Sequence, residues 1–116
     1  MDRTRDAGLI LVTGASGQIG TEVCRRLPAT NHDILAIDLN SDPAQSVKAC
    51  DLRRASEVVR LFSEHPIRGV VHLAGILPGA FRSDPLAGAE VNLQGSTELL
   101  RQAAQAGVKR FVLPVR

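Results

Sequence analysis

Apolar and polar positions along the chain fall into blocks that switch between two periods. Gly8-Leu9-Ile10-Leu11-Val12-Thr13 is a continuous apolar run closed by a glycine-rich turn. That is the pattern of a strand buried on both faces, as in a parallel sheet. After the turn, Ile19, Val23, Cys24 and Leu27 recur at helical spacing, and Pro28 ends the pattern. Ile34-Leu35-Ala36-Ile37-Asp38 predicts a second buried strand that ends in an acid. Asn40-Ser41-Asp42-Pro43 breaks the chain, and Ser46–Cys50 predicts a weaker third strand before Asp51-Leu52. Ala55, Val58, Val59, Leu61 and Phe62 mark a helix that stops before Pro66. Gly69–Leu73 is the fourth strand, followed by Ala74-Gly75. Asp84 as N-cap and Pro85 at the first helical position predict one helix, carried through Leu86, Ala89, Leu93, Leu100, Ala103 and Ala104 to a stop at Gly107. Val108–Leu113 completes a fifth strand.

Strands alternating with helices imply right-handed crossovers and a parallel sheet, the α/β class. No internal repeat, low-complexity tract or linker divides the chain, so residues 1–116 are expected to form one domain. The segment from Ile76 to Ser83 is the least regular. It follows the fourth strand, where loops line ligand crevices in open α/β sheets.

Composition narrows the chemistry. The chain has 116 residues, formal net charge +2, 44% apolar and 22% charged residues, enough for one modest core and unlike a disordered tail. Its apolar runs fall far short of the ~20 residues of a membrane span. The N-terminal stretch does not resemble a secretory signal, so a cytoplasmic protein without membrane contact is expected. There is no Trp and no Tyr, which removes any phenolic acid or base from these residues. Three scattered Phe and interspersed charges give nucleic-acid binding little support. Cys24 and Cys50 lack zinc spacing and read as reduced structural thiols, so no metal site is expected.

The chemistry gathers at Gly14-Ala15-Ser16-Gly17-Gln18-Ile19-Gly20, between a strand and a helix. Glycine permits a tight turn, close approach of a phosphate and close packing of the helix on the strand. The helix start then offers unpaired N–H groups and the positive end of its dipole to a pyrophosphate. The spacing is GxxGxxG, and a plain strand-to-helix turn would use the same residues. Asp38 ends the second strand roughly twenty residues on, where a dinucleotide fold places a carboxylate on the adenosine ribose hydroxyls. A 2′-phosphate would meet like charge there, so NAD is expected over NADP. Leu39-Asn40 supply no Arg to reverse this. A solvated strand-end Asp is the bland alternative.

These residues resemble the extended short-chain dehydrogenase/reductases, the NAD-dependent epimerase/dehydratase family. Thr13–Gly20 is similar to the family's TGxxGxxG element, and Asp38 to its acidic strand end. Asp51-Leu52 resembles the Asp-Leu element beside the adenine, and His72-Leu73-Ala74-Gly75 the HLAG element whose backbone runs along the cofactor. Val91-Asn92-Leu93-Gln94-Gly95 resembles VNxxG, and Val108–Val112 the VKRFV strand. The resemblance implies a Rossmann-like open parallel sheet of about five strands, order 3-2-1-4-5, with helices on both faces, ending after the fifth strand. It implies NAD held by Gly14, Ser16, Gly17, Gln18, Ile19, Gly20, Asp38, Leu39, Asp51, Leu52, Leu73, Ala74, Gly75 and Asn92.

Several of these residues have a second reading. Asp51 could simply cap the turn before the next helix. Ser16 could meet a phosphate or bond its own backbone. Asn92 could bridge backbone groups or order the site. His72 reads as a packed strand histidine rather than a base or ligand.

Family enzymes continue past the fifth strand to a Ser or Thr and a Tyr-x-x-x-Lys pair, in which the Lys lowers the Tyr pKa for proton transfer. Here Pro114-Val115-Arg116 follows the fifth strand, and Lys48 and Lys109 are the lysines. The expectation is therefore the cofactor-binding portion of an epimerase/dehydratase-type oxidoreductase acting on a sugar nucleotide or similar hydroxylated small molecule. It has no catalytic residue of its own and is inactive alone. A small-molecule substrate would bind only with the missing half supplied, and a homo-oligomer is possible. The alternative is a non-catalytic dinucleotide-binding sensor or interaction module.

Overall fold

A computed structural model of the chain describes residues 8–75, 85–86 and 90–114. The elements are β1 (Leu9–Thr13), α1 (Gln18–Arg26) with a 3-10 turn (Leu27–Thr30), β2 (Asp33–Asp38), a second 3-10 turn (Pro43–Gln45), β3 (Val47–Ala49), α2 (Ala55–Glu64), β4 (Ile67–His72), a π-helical segment (Glu90–Gly95), α3 (Ser96–Gln105) and β5 (Arg110–Val112). The five strands form one parallel sheet in the order β3-β2-β1-β4-β5. This is the Rossmann-like order the sequence implies.

Side chains alternate across each strand and feed two cores. Leu11, Ile37 and Val70 face α2 and α3, where Val58, Leu61, Leu99 and Ala103 close over them. Val12, Ala36 and Val47 face the other way, against Val23, Cys24 and Leu27 of the α1 side. Helices therefore cover both faces, which is why the central strands read as unbroken apolar runs. β1, with two neighbours, lies at the middle, and Leu11, Val12 and Thr13 are fully buried.

One irregularity keeps this phase correct. Leu9 pairs with Ile67, but Ile10 pairs with Gly69, so Arg68 is bulged out. Ile67 and Val70 are three residues apart and would face opposite ways in a regular strand. The bulge brings both to the same core.

The helix ends follow local chemistry. Pro28 converts the end of α1 into the 3-10 turn, and Asn31 closes that turn in the left-handed region at φ 63°. Gly107 adopts φ 76° after α3. Its N–H donates to the Ala104 carbonyl (3.2 Å) and the Val108 N–H to the Ala103 carbonyl (3.0 Å). That is a Schellman stop, with Val108 packed against the core.

Two expectations need correcting. The single helix anticipated from Pro85 to Gly107 is π-helical from Glu90 to Gly95 before α3 begins. The fifth strand is shorter than Val108–Leu113, because Val108 is taken up by the helix stop and the Lys109 N–H donates to the bulged Arg68 carbonyl (3.1 Å). The Ile76–Ser83 segment and the Asp84 cap lie outside the described residues. Among the described residues, no helix is long and apolar enough to cross a membrane.

Candidate functional site

β1, β2 and β4 end together at one edge of the sheet, and a cleft of about 580 Å³ opens over their C-terminal ends. That is within the usual range for ligand sites, and its place is where open α/β sheets bind ligands. One wall is the glycine turn and the first turn of α1 (Gly14, Gly17, Gln18, Ile19, Gly20). Another is the β2 exit (Asp38, Leu39) with Cys50, Asp51, Leu52 and Arg53. The third is the β4 exit, Leu73, Ala74 and Gly75.

The three glycines do different work. Gly14 sits at φ 66°, and a Cβ there would lie 2.8 Å from the Ala74 nitrogen. A Cβ on Gly20 would collide with the Gly14 carbonyl oxygen and lie 2.8 Å from the Ala15 Cα. The fold itself thus demands glycine at both positions. Gly17 is different: it has an ordinary extended backbone, φ −72° and ψ 175°. A Cβ there would meet a single neighbour, the Gly14 oxygen at 3.3 Å. Gly17 is exposed and its bare face lines the cleft. A plain turn would not need this third glycine, whereas an approaching ligand would.

Gly17 is also the N-cap of α1, with no side-chain cap and no acidic residue in the first turn. The first intrahelical bond runs from the Thr21 N–H to the Gly17 carbonyl (2.9 Å). The N–H groups of Gln18, Ile19 and Gly20 therefore have no intrahelical acceptor, and the positive end of the helix dipole is unopposed. That is the chemistry of an anion site.

Asp38 bridges two walls. One carboxylate oxygen accepts the Ser16 N–H (2.9 Å) and the other the Leu39 N–H (2.7 Å). A carboxylate has about four acceptor positions, so these bonds fix the side chain and leave capacity for hydroxyl donors. Ser16 thus contributes its backbone to the Asp38 bridge rather than a side chain to the cleft. Ile19 and Leu39, 62% and 55% exposed, give the cleft mouth two apolar surfaces.

Asp51 lies on the cleft wall, yet its carboxylate is engaged locally. It accepts the Arg53 N–H (3.0 Å), Nε (3.0 Å) and Nη2 (3.0 Å). The Arg53 guanidinium holds its pKa below the ordinary carboxylate value. The turn-capping role is therefore real, and Asp51 faces the cleft from within it. Behind it, a Cβ on Gly95 would press on Leu52 (Cβ at 3.2 Å), so the VNxxG glycine lets the π-helical segment lie against the Asp-Leu turn. Asn92 lies in that segment; its side chain is outside the described residues.

At the β4 exit, the Thr13 hydroxyl oxygen accepts N–H bonds from Leu73 (3.0 Å) and Ala74 (3.1 Å). It also lies 2.7 Å from His72 Nδ1, while His72 Nε2 lies 2.7 Å from the Ser96 hydroxyl. His72 is 3% exposed and stacks edge-on to Phe111. Burial lowers its pKa from 6.5. The packed-histidine reading fits this setting.

Twelve of the fourteen residues anticipated from sequence line the cleft; Ser16 and Asn92 are the other two. Sequence reading missed Cys50 and Arg53 as wall residues and Thr13 as the organiser of the β4 exit. The Thr of the TGxxGxxG element was a signal for the last. Cys50 is buried, and burial, with Glu57 and Asp51 nearby, pushes its thiol up to about 11. Among the described residues, no group of three or more His, Cys, Asp or Glu could hold a metal ion.

Comparison with known proteins converges on one family. The family model of the NAD dependent epimerase/dehydratases matches residues 10–114. A UDP-glucose 4-epimerase of Klebsiella pneumoniae is 28% identical over 89% of this chain and 85% of that protein. Among solved structures, an apo monomeric L-threonine 3-dehydrogenase of metagenomic origin superposes with TM-score 0.81 at 36% identity, covering 88% of this chain and 34% of that one. The UDP-glucose 4-epimerase of Thermus thermophilus in complex with NAD gives TM-score 0.80 at 29% identity, covering 89% of this chain and 36% of that one. The chain thus spans about a third of the length of both structures.

Proposed function

The chain belongs to the NAD dependent epimerase/dehydratase family, and from that premise we propose that residues 1–116 are its dinucleotide-binding domain and prefer NAD to NADP. The observation that carries this reading is Gly17, a glycine that the backbone does not require, placed before a helix start with open N–H groups. The pyrophosphate would lie over Gly14–Gly20, with N–H donors from Gln18, Ile19 and Gly20. The adenosine ribose would bond Asp38, whose charge would repel a 2′-phosphate. The adenine would sit by Leu39, Asp51 and Leu52, and the nicotinamide end would run along Leu73, Ala74 and Gly75 toward the β4 exit. When bound, the dinucleotide supplies a hydride acceptor and donor.

By analogy with its relatives, the whole protein would act on a sugar nucleotide or another hydroxylated small molecule. These 116 residues contain no tyrosine, so a phenolic proton carrier would have to come from outside them. Calorimetric titration of the folded chain with NAD and NADH tests the reading, and saturable binding is expected. No heat with either nucleotide would sink it. The tyrosine-free composition also favours a second reading, a dinucleotide-binding module without turnover. NAD binding with no NADH production across hydroxylated substrates, in the longest natural polypeptide containing this stretch, would support it.

A further inference from the structure

The hydrogen bonds around His72 determine where its proton sits. The Thr13 Oγ1 has two lone pairs and one proton. Both lone pairs are taken by the Leu73 and Ala74 N–H groups, so the proton must point at His72 Nδ1, 2.7 Å away. Nδ1 is therefore an acceptor, and a neutral ring carries its proton on Nε2, donating to Ser96 Oγ at 2.7 Å. One ring thus ties β1, β4 and the start of α3 together.

We propose that His72 is a positioning residue for the dinucleotide site: it holds the β4 exit in its binding shape only as the neutral, Nε2-protonated ring, and protonation of that ring weakens nucleotide binding. This rests on the dinucleotide reading above. A charged imidazole donates from both nitrogens, so Thr13 Oγ1 would have to accept from Nδ1 as well. Two lone pairs cannot serve three donors. The Leu73 N–H has a second acceptor in the Thr13 carbonyl at 3.2 Å and the Ala74 N–H has none, so the Leu73 bond to Oγ1 is the one that gives way and the hydroxyl proton turns to that side. Leu73 lines the cleft, and Gly14 packs against its carbonyl group, with a Cβ at Gly14 only 2.8 Å from the Leu73 carbonyl carbon. A shift at Leu73 therefore reaches the phosphate-binding turn directly.

The groups packed on the ring are Thr13 from β1, Ser96 from α3 and Phe111 from β5, none of which titrates near neutrality. Burial is the cause of the lowered pKa, so the switch operates below pH 6.5.

The test combines NMR of the free chain with NAD titrations from about pH 7.5 to about pH 5, on the wild type and His72→Asn. Asn keeps an acceptor for Thr13 but does not titrate. In the wild type, the ring is expected as the Nε2–H tautomer, and the Leu73 amide resonance should move with the ring's own midpoint. NAD should weaken by about two- to tenfold, the net worth of one buried hydrogen bond. His72→Asn should flatten both profiles. A Leu73 amide that ignores the His72 midpoint would overturn the proposal, as would an Nδ1–H tautomer. So would a His72→Asn protein that keeps the full pH dependence of NAD affinity. If NAD fails to bind at every pH, the dinucleotide reading falls, while the amide titration in the free chain still decides the coupling. Should His72→Asn fail to fold, the wild-type tautomer and midpoint carry the same decision.

Discussion

Replacing each of the three turn glycines by alanine separates what the fold needs from what a ligand needs. At Gly20, the new methyl would meet the Gly14 carbonyl and the Ala15 Cα, both backbone atoms that cannot swing aside. Overpacking of this kind costs about 1–3 kcal/mol. At Gly14, a similar clash with Leu73 and Ala74 backbone is compounded by the left-handed φ of 66°, which costs a further ~1–2 kcal/mol. At Gly17 the backbone is already one that alanine adopts, and the single contact is 3.3 Å. The strain there is a few tenths of a kcal/mol, offset by the ~0.4–1 kcal/mol that alanine gains by restricting the unfolded chain. Gly17→Ala should therefore unfold in denaturant within about 1 kcal/mol of wild type, while Gly20→Ala loses about 1–3 kcal/mol and Gly14→Ala about 2–5 kcal/mol. The same Gly17 methyl would stand where a pyrophosphate must approach, and NAD should weaken by at least about tenfold, 1.4 kcal/mol. Equilibrium urea unfolding and calorimetric NAD titration on the three variants give the answer. A Gly17→Ala protein as unstable as Gly20→Ala, or one that binds NAD like wild type, would refute the reasoning.

Asp38→Ala should weaken NAD more than NADP, because the lost carboxylate bonds the ribose of one and repels the phosphate of the other; equal losses would remove Asp38 from the ribose site. Cys50, with its thiol pushed up to about 11 by burial, should react with a disulfide reagent at neutral pH about a hundredfold more slowly than the unfolded chain; comparable rates would mean that the cleft wall opens freely. Leu99→Ala empties a fully buried site between α3 and the sheet and should cost about 2–5 kcal/mol in urea unfolding; a smaller loss would mean that α3 packs more loosely than described. The neutral His72 stabilises the fold fully above pH 6.5, and this contribution should fade as the pH falls from there toward its lowered folded value; urea midpoints that are flat across that window would contradict its burial.

The sheet and its order were legible because central parallel strands are apolar on both faces, and because Gly8, Pro28, Pro66 and Gly107 punctuate them. Of these, Gly8 and Gly107 proved to need a positive φ. The cleft was legible because its walls are turns, and turn chemistry is local. Three features depended on distant atoms and were not legible. The π-helical segment at Glu90–Gly95 has the same apolar spacing as an α-helix, and what marks it is Gly95 pressing on Leu52. The engagement of Asp51 by Arg53 needed side-chain geometry. The binding of Asp38 to the Ser16 N–H joins residues on different elements, and no spacing rule announces it.

The bulge at Arg68 bears on how this sequence tolerates changes in length. Within a regular strand, deleting one residue inverts the facing of everything beyond it. Deleting Gly69, Val70 or Val71 would shift His72 by one position relative to Thr13 and break the link to Ser96. Deleting Arg68 is the exception: Ile67 would still oppose Leu9 and Gly69 would still oppose Ile10, now in an unbroken ladder. The loss would be confined to the Lys109 bond at the sheet's far side. The strand thus carries one position where a codon can disappear in frame without scrambling the core, flanked by positions where the same loss would be ruinous.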